Sequence, residues 1–363
     1  MPHPLVSIII DNHNYARFVG AAIESALAQT YRDIEIIVVD DGSTDGSRTV
    51  IAAYAGRLTI IFQDNRGQSG AFNTGFAASK GDIVMFLDSD DILRPEAVSA
   101  VVAAWRPGIT KLQFCLATID AEGGFTGGIF PNYPTSLTPE AVRRETLETA
   151  LYPCPPTSGN AYARDFLAAV TPVPPVLAGA DGPLNTLAPL YGDVVTLNRV
   201  LACYRVHGAN DGAQGTLAAD KFGRFIRHDQ HRAELLREHA ARLGLRVEGD
   251  PLDRAVLHLQ YRLASLRLLP GHHPVPGEHV VSVAWRGVTA AWHAKERLPA
   301  RLFLILWFVA VASLPRNAAK RLIALRFVPA SRPAVLGALL RRLGALRRTS
   351  DAAGSSAPAP SIR

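Results

Sequence analysis

Within its first ninety residues the chain passes four times between a short apolar run and a segment of helical period, and that alternation leaves few folds open. Val6–Ile10, Ile34–Val39, Leu58–Phe62 and Ile83–Leu87 are apolar runs of strand length, rich in β-branched residues. Between them Val19, Ile23, Ala26 and Leu27 recur at helical spacing. Asp45 is placed to cap a helix through Val50 and Ile51, and Ala71–Ala78 is helical in pattern. Strand and helix in turn imply right-handed β-α-β units on a mostly parallel sheet. Pro95 suits the first turn of a further helix, Glu96–Trp105. Hydrophobic residues make up 48% of the 363, enough to cover both faces of such a sheet.

The pattern changes near Lys111. Leu112–Leu116 and Phe125–Ile129 flank Gly123-Gly124 as a hairpin, residues 131–160 are rich in Pro, Thr and Ser and are expected as loops, and Asp193–Tyr204 is extended. Residues 217–268 are helical. Leu302–Leu314 is a 13-residue apolar run, short of the roughly 20 residues that span a bilayer. A Leu- and Arg-rich helix follows Pro333, and the Ala/Ser/Pro-rich end is expected to be disordered. The resulting division is a catalytic domain at 1–215, a helical extension at 216–300, an apolar and basic membrane-associated segment at 301–348, and a tail at 349–363. No internal repeat is found.

Charge is unevenly spread. Arg301–Ser350 holds ten Lys or Arg and no acid, within a chain of net charge +6. A basic tail suits an anionic partner such as a membrane surface, nucleic acid or acidic lipid. The balanced first half argues against nucleic acid as the main ligand. Cys115, Cys154 and Cys203 are odd in number and lack C-x-x-C spacing, which fits a reducing, cytoplasmic compartment. Met1–Leu5 has neither the charged nor the apolar region of a signal peptide.

Two acidic clusters end apolar strands. In Val38-Val39-Asp40-Asp41-Gly42-Ser43-Thr44-Asp45, carboxylates stand at the strand end where open parallel sheets bind ligands. They can accept hydrogen bonds from a base or a ribose, although Asp-Gly-Ser is also plain turn chemistry. In Phe86-Leu87-Asp88-Ser89-Asp90-Asp91, three acids in four residues repel unless a cation lies among them. Such hard oxygen ligands suit Mg²⁺ or Mn²⁺ on a diphosphate, and the bland alternative is helix capping. Between the clusters, Asn65–Asn73 joins small residues to a helix start, so that backbone can approach an anion, with Arg66 and Gly67 near phosphate. No phosphate loop, dinucleotide fingerprint, nucleophile elbow or H-E-x-x-H zinc motif is present. His228 and His231 are read as a solvated polar face rather than a zinc site, and His272-His273 has no assigned role.

Val6–Asn14, Asp40–Asp45, Asn65–Asn73 and Phe86–Asp91, in this order and spacing, resemble the family 2 glycosyltransferases over about residues 4–210. The resemblance implies an α/β GT-A fold: a Rossmann-like, mostly parallel central sheet with helices on both faces, here followed by a helical, basic C-terminal extension. It implies that Asp40 binds the base with Asp41 in the same pocket, that Asp88 meets the ribose, that Asp90 ligates Mn²⁺ or Mg²⁺, and that Asp91 supports them. Asp11-Asn12-His13-Asn14-Tyr15 departs from the family's Pro-Thr or Pro-Ser-Tyr-Asn segment. It should lie beside the base, which places Asp11 among the donor-binding residues.

By the same resemblance, Asp181, a single acid in the small-residue loop Leu177–Leu184, is the general base, with Asp193 as its rival. Thr157, Ser158 and Asn160 face the acceptor through exposed hydroxyls and an amide. Arg205 and His207 of Tyr204-Arg205-Val206-His207 assist the diphosphate or the metal, or else pack a terminal loop. The expected function is an inverting transfer of sugar from a nucleotide-diphosphate donor, a UDP-sugar above all, to a glycan or lipid-linked acceptor. The enzyme would act in cell-surface polysaccharide assembly at the inner face of the cell membrane. The competing readings are a non-catalytic, membrane-associated sugar- or nucleotide-binding protein and a sugar nucleotidyltransferase. The latter is disfavoured because Asp11–Asn14 stands where a Gly-rich loop would be.

Overall fold

A computed structural model describes residues 3–134, 137–175, 179–208, 210, 219–328 and 331. The chain divides into two compact units. Among the described residues, one comprises those up to Arg143 together with Pro153–His207, and the other Arg144–Tyr152 together with those from Gly208 onward.

The strands of the first unit are β1 (Val6–Asn12), β2 (Ile34–Asp41), β3 (Thr59–Gln63), β4 (Ile83–Asp88), β5 (Ile92–Leu93), β6 (Ile109–Ile119), β7 (Phe125–Phe130), β8 (Asn160–Ala163) and β9 (Asp193–Arg205). They form one sheet in the order β3-β2-β1-β4-β8-β6-β9-β5, with β7 paired to β6. The first four of these neighbours are parallel, and β8 reverses the direction between β4 and β6. This is the expected α/β sheet, mostly parallel in its first half.

Alternation along β1 assigns its two faces. Val6, Ile8 and Ile10 pack with Val19, Ile23 and Ala26 of α1 (Val19–Leu27), Ile51 of α2 (Ser47–Ala52) and Val98 and Val101 of α4 (Ala97–Ala104). Ile9 points the other way, against α3 (Gly67–Ala78). That approach requires a glycine: a Cβ on Gly75 would lie 2.3 Å from Ile9 Cγ2. Phe72 of α3 stacks on Phe86 of β4 with ring centroids 4.0 Å apart, which locks the helix over the sheet.

Three local expectations change. β1 and β2 each run two residues beyond the apolar runs, so that Asp11, Asn12, Asp40 and Asp41 are strand residues with sheet partners. Residues 131–160 contain α5 (Pro139–Thr149), a helix signalled by Thr138-Pro139-Glu140: the Thr138 hydroxyl accepts from Ala141 N at 3.2 Å, with Pro139 in the first turn. Asp181 is the first residue of α7 (Asp181–Tyr191), which follows α6 (Arg164–Val170), and so it is held by a helix instead of a loop.

The second unit holds α8 (Ala219–Arg242), α9 (Val256–Leu268), α10 (Val280–His293), α11 (Leu298–Ser313) and α12 (Arg316–Phe327). The helical stretch expected at 217–268 is interrupted after α8, where Gly244 adopts φ +68°. Leu259, Leu263, Val283, Phe308 and Ile323 form its core. His228 is partly buried on α8, where burial and neighbouring Arg232 lower its pKa to about 4. Asp229 between the two histidines is buried against His258 at 3.0 Å, so this segment is not the solvated face expected of it. The Leu302–Leu314 run lies largely in α11. Leu304, Phe308 and Val311 enter the core while Leu302, Leu306 and Val309 stay exposed. Among the described residues no helix is long and apolar enough to cross a membrane. The helix expected after Pro333 and the 349–363 tail lie outside the described residues.

Candidate active site

Parallel register gathers the site. Across β1 and β4, Asp11 stands opposite Asp88; across β1 and β2, Asn12 stands opposite Asp40. All are at the carboxyl ends of their strands, the edge where open α/β sheets bind ligands.

Asp40 is fully buried. Its Oδ1 accepts from Ser43 N at 3.1 Å and Arg48 Nε at 2.9 Å, and its Oδ2 accepts from Asn12 Nδ2 at 2.9 Å. Burial alone would raise its pKa, but the hydrogen bonds from Ser43, Arg48 and Asn12 outweigh it and hold the carboxyl below its usual range. Asp40 therefore braces the turn, with both oxygens accepting hydrogen bonds from within the protein. Asp41 accepts Gln63 Nε2 at 2.6 Å and Arg66 N at 2.8 Å on Oδ1. Gly42 follows at φ +74°, and a Cβ there would lie 2.6 Å from Asn65 N. The two acids thus fix the turn that follows β2 against the start of α3. Exposed beside it are His13, whose Nδ1 lies 2.7 Å from Asp41 O, together with Asn14 and Asn65.

At the start of α3, Arg66 is the N-cap with an exposed side chain, and Gly67 adopts φ +71°. The next residue joins three parts of the site. The Gln68 amide donates to Asp88 Oδ1 at 2.8 Å and to Asp11 Oδ2 at 3.2 Å, while its carbonyl accepts Ala180 N at 2.9 Å. Gln68 therefore bridges two facing carboxylates and ties them to the N-terminus of α7, where Asp181 lies. Asp181 accepts Asn185 Nδ2 at 2.9 Å, and its charge acts on Asp88.

One oxygen each of Asp88, Asp90 and Asp91 can come within 4.8 Å of the others. Burial, then the charges of Asp11, Asp91, Asp90 and Asp181, pushes the Asp88 carboxyl well above the usual range. Burial and then Asp90 do the same to Asp91. Asp11 is pushed up to about 7, first by burial, against the hydrogen bond from Gln68; its Oδ1 meets no donor among the described residues. Carboxylates crowded in this way, one with a buried oxygen lacking a partner, fit a divalent cation with hard oxygen ligands.

The other candidate residues occupy distinct places. Arg205 is buried: its N donates to Asp91 Oδ1 at 2.9 Å, its Nε to Asp90 O at 2.8 Å, and its Nη1 to the carbonyls of Asp120 and Ala121 at 3.1 Å each. These bonds shape the acidic loop from within. His207 joins the cluster, with Nε2 3.0 Å from Asp90 Oδ2 and its ring against Phe18 and Tyr15 at centroid distances of 4.9 and 5.5 Å. Thr157, Ser158 and Asn160 are buried, not exposed. Ser158 Oγ accepts Asp88 N at 3.2 Å, and Asn160 Nδ2 donates to Pro156 O at 2.9 Å, so this segment backs the end of β4. Asp193, the rival base, is paired with Arg106 at 2.9 Å at the start of β9.

Gln68, Asn12 and Arg48 carried no mark in the sequence. Gln68 in α3, Asn12 in β1 and Arg48 in α2 acquire their roles only through the carboxylates that folding brings to them.

Residues 7–146 match the family described as Glycosyl transferase family 2. An uncharacterized glycosyltransferase of Nostoc sp. is 41% identical over 214 residues, which are 57% of this chain and 66% of that protein. Escherichia coli chondroitin synthase is 36% identical over 138 residues, 36% of this chain and 20% of that protein. Uncharacterized glycosyltransferases of Rickettsia match over only 30% of their length, so the chain spans less than two thirds of its relatives. The crystal structure of S. aureus TarS 1-349 in complex with UDP-GlcNAc superposes with a TM-score of 0.53 at 15% identity, covering 88% of this chain and 90% of that one; it shares the fold. With the family's segments standing on a GT-A sheet and converging at one edge, residues 7–146 are a glycosyl transferase family 2 domain.

Proposed function

We propose that the first unit transfers a sugar from a nucleoside-diphosphate donor to a hydroxyl of a glycan or lipid-linked acceptor, with inversion, in polysaccharide assembly at the cell envelope. The observation that carries this reading is the set of crowded carboxylates at the sheet edge, bridged by Gln68 and tied to Asp181. The exposed residues His13, Asn14 and Asn65 beside Asp41 take the base, and a UDP-sugar is the donor expected. Asp88 meets the ribose, and Arg66 with the backbone of Gly67 faces the diphosphate, where a helix N-terminus favours anions. Asp90, with Asp88, Asp91 and His207, would hold Mn²⁺ or Mg²⁺, which supplies charge stabilisation to a leaving diphosphate.

Asp181 removes the acceptor proton as the acceptor oxygen bonds to the anomeric carbon. The bond from that carbon to the phosphate oxygen breaks, and a nucleoside diphosphate leaves. The helix beneath Asp181, the Asn185 hydrogen bond and the Gln68–Ala180 link keep this carboxylate oriented. Resemblance to a chondroitin synthase supports a glycan acceptor. The basic C-terminal region supports peripheral contact with an anionic membrane from the cytoplasmic side.

A thermal-shift panel of UDP, GDP, dTDP, CDP and ADP with and without Mn²⁺, followed by turnover with the matching sugar nucleotide, tests the proposal. One diphosphate that stabilises only with metal, and whose sugar is transferred, is the expected result. Stabilisation without any transfer or hydrolysis would favour a binding protein, and no shift with any nucleotide would sink the donor site.

A further inference from the structure

Helices α10 and α11 form an antiparallel hairpin. Arg301 lies over the Trp292 ring at 5.0 Å, and a Cβ on Gly287 would meet Phe308. Each helix buries one side in the unit's core: Val283, Ala284 and Ala291 from α10, Leu304, Phe308 and Val311 from α11. Each also leaves an apolar stripe outside. On α10, Val281 is 78% exposed, Trp285 71% and Trp292 52%; on α11, Leu298, Leu302, Leu306 and Val309 are exposed, Leu306 at 67%. With Gly287 facing Phe308 and about 100° of rotation per residue, both stripes fall on the same side of the hairpin. Arg301 on Trp292 joins them at the turn.

Isolated exposed apolar residues are ordinary, but a run of seven large ones across two packed helices is not. The charge around them selects the occupant. Helices α10, α11 and α12 contain no Asp or Glu; Arg286 is paired with Asp253 and Glu278, but Arg301, Arg316, Lys320, Arg321 and Arg326 have no acid on these helices, and Arg297 caps α11. A second copy of this face would bring like charges together. An anionic bilayer takes the apolar stripe into its interface, where Trp is favoured, and offers headgroups to the arginines.

We infer that the α10–α11 face lies flat on an anionic lipid surface, with Trp285, Trp292 and Leu306 as its embedded side chains. This deepens the membrane contact proposed above: the sequence run Leu302–Leu314 is half core, and the docking surface is a face shared by two helices. Since the site residues are elsewhere, loss of lipid binding and loss of nucleotide binding are separable.

The test is co-sedimentation of the full chain with vesicles of phosphatidylcholine alone or with phosphatidylglycerol, with Trp emission recorded. The comparison is with the double variant Trp285→Ser, Leu306→Ser and with the control Leu243→Ser, a residue exposed after α8. Both positions are exposed, so the double variant should keep its melting temperature and its nucleotide response. The inference expects binding to phosphatidylglycerol vesicles with a blue shift, weakened about tenfold or more in the double variant and unchanged in the control. It is overturned if the full chain ignores anionic vesicles, or if the double variant binds as well as the native chain. It is equally overturned if sedimentation velocity shows a dimer that the double variant dissolves, which would assign the face to a second copy.

Discussion

Replacing Gln68 by Leu keeps much of the side chain's volume and removes every hydrogen bond it makes. In the native protein its amide lies between Asp11 and Asp88, and its carbonyl holds Ala180 N. Hydrogen bonds to charged groups contribute about 1.5–3 kcal/mol each. Asp11 and Asp88 keep a partial opening to solvent, so the lower figure applies, and the loss at pH 8 should be about 3 kcal/mol. Acid should reduce it. The Asp11 carboxyl, pushed up to about 7 by burial, is protonated at pH 5.5. Its own hydroxyl can then donate towards Asp88, and the loss falls to about 1–2 kcal/mol. The direction follows from linkage. A carboxyl whose folded pKa exceeds its unfolded value of about 3.9 favours the fold while protonated, and that stability is lost as pH rises from there through 7. Without Gln68 the folded pKa climbs further, so the decline extends to higher pH. Hydrogen exchange of β1 and β4 amides in urea and EDTA, between pH 5.5 and 8.5, reads this locally. A loss under about 0.5 kcal/mol at pH 8, or one that does not change with pH, would refute the reasoning.

Asp90→Asn should leave the fold intact, since an amide still meets His207, while removing the Mn²⁺-dependent part of any nucleotide stabilisation; isothermal titration with Mn²⁺ checks this. Asp181→Asn keeps an acceptor for Asn185 and should spare donor binding while lowering kcat by at least about a hundredfold, as expected on loss of a general base; wild-type turnover would remove Asp181 from that role. In the second unit, Glu278 is 7% exposed and meets Arg262, Arg286 and His273. Burial would raise its pKa, but these partners bring it down to about 2 from 4.5. Its stabilisation is therefore complete above pH 4.5 and is lost as pH falls towards 2. Glu278→Gln should cost about 3 kcal/mol at pH 7, and the gap to the native protein should close in acid, as followed by Trp fluorescence during urea unfolding.

Period and punctuation in the sequence were enough for the β-α-β order, the parallel half of the sheet and the acidic strand ends. Those signals are local: alternating apolar runs, a helical stripe such as Val19–Ile23–Ala26, and acids after a buried strand. Asp181 was legible only as an acid among small residues, because Gly182, Pro183 and Pro189 mask the helical spacing of Leu184, Leu187 and Leu190 in the helix that begins there. The tasks of individual polar groups needed the tertiary structure. Asp40 and Arg205 look in sequence like ligands for a donor, and folding surrounds each with hydrogen-bond partners from distant segments of the protein. Gln68 looks like nothing, yet it stands where two strands and a helix meet. The α10–α11 face was likewise hidden, because one apolar run can supply both core and surface, and which residues do which depends on the helix packed beside it. Hydrophobic period is carried by neighbours along the chain; hydrogen-bond satisfaction and exposure are set by neighbours in space.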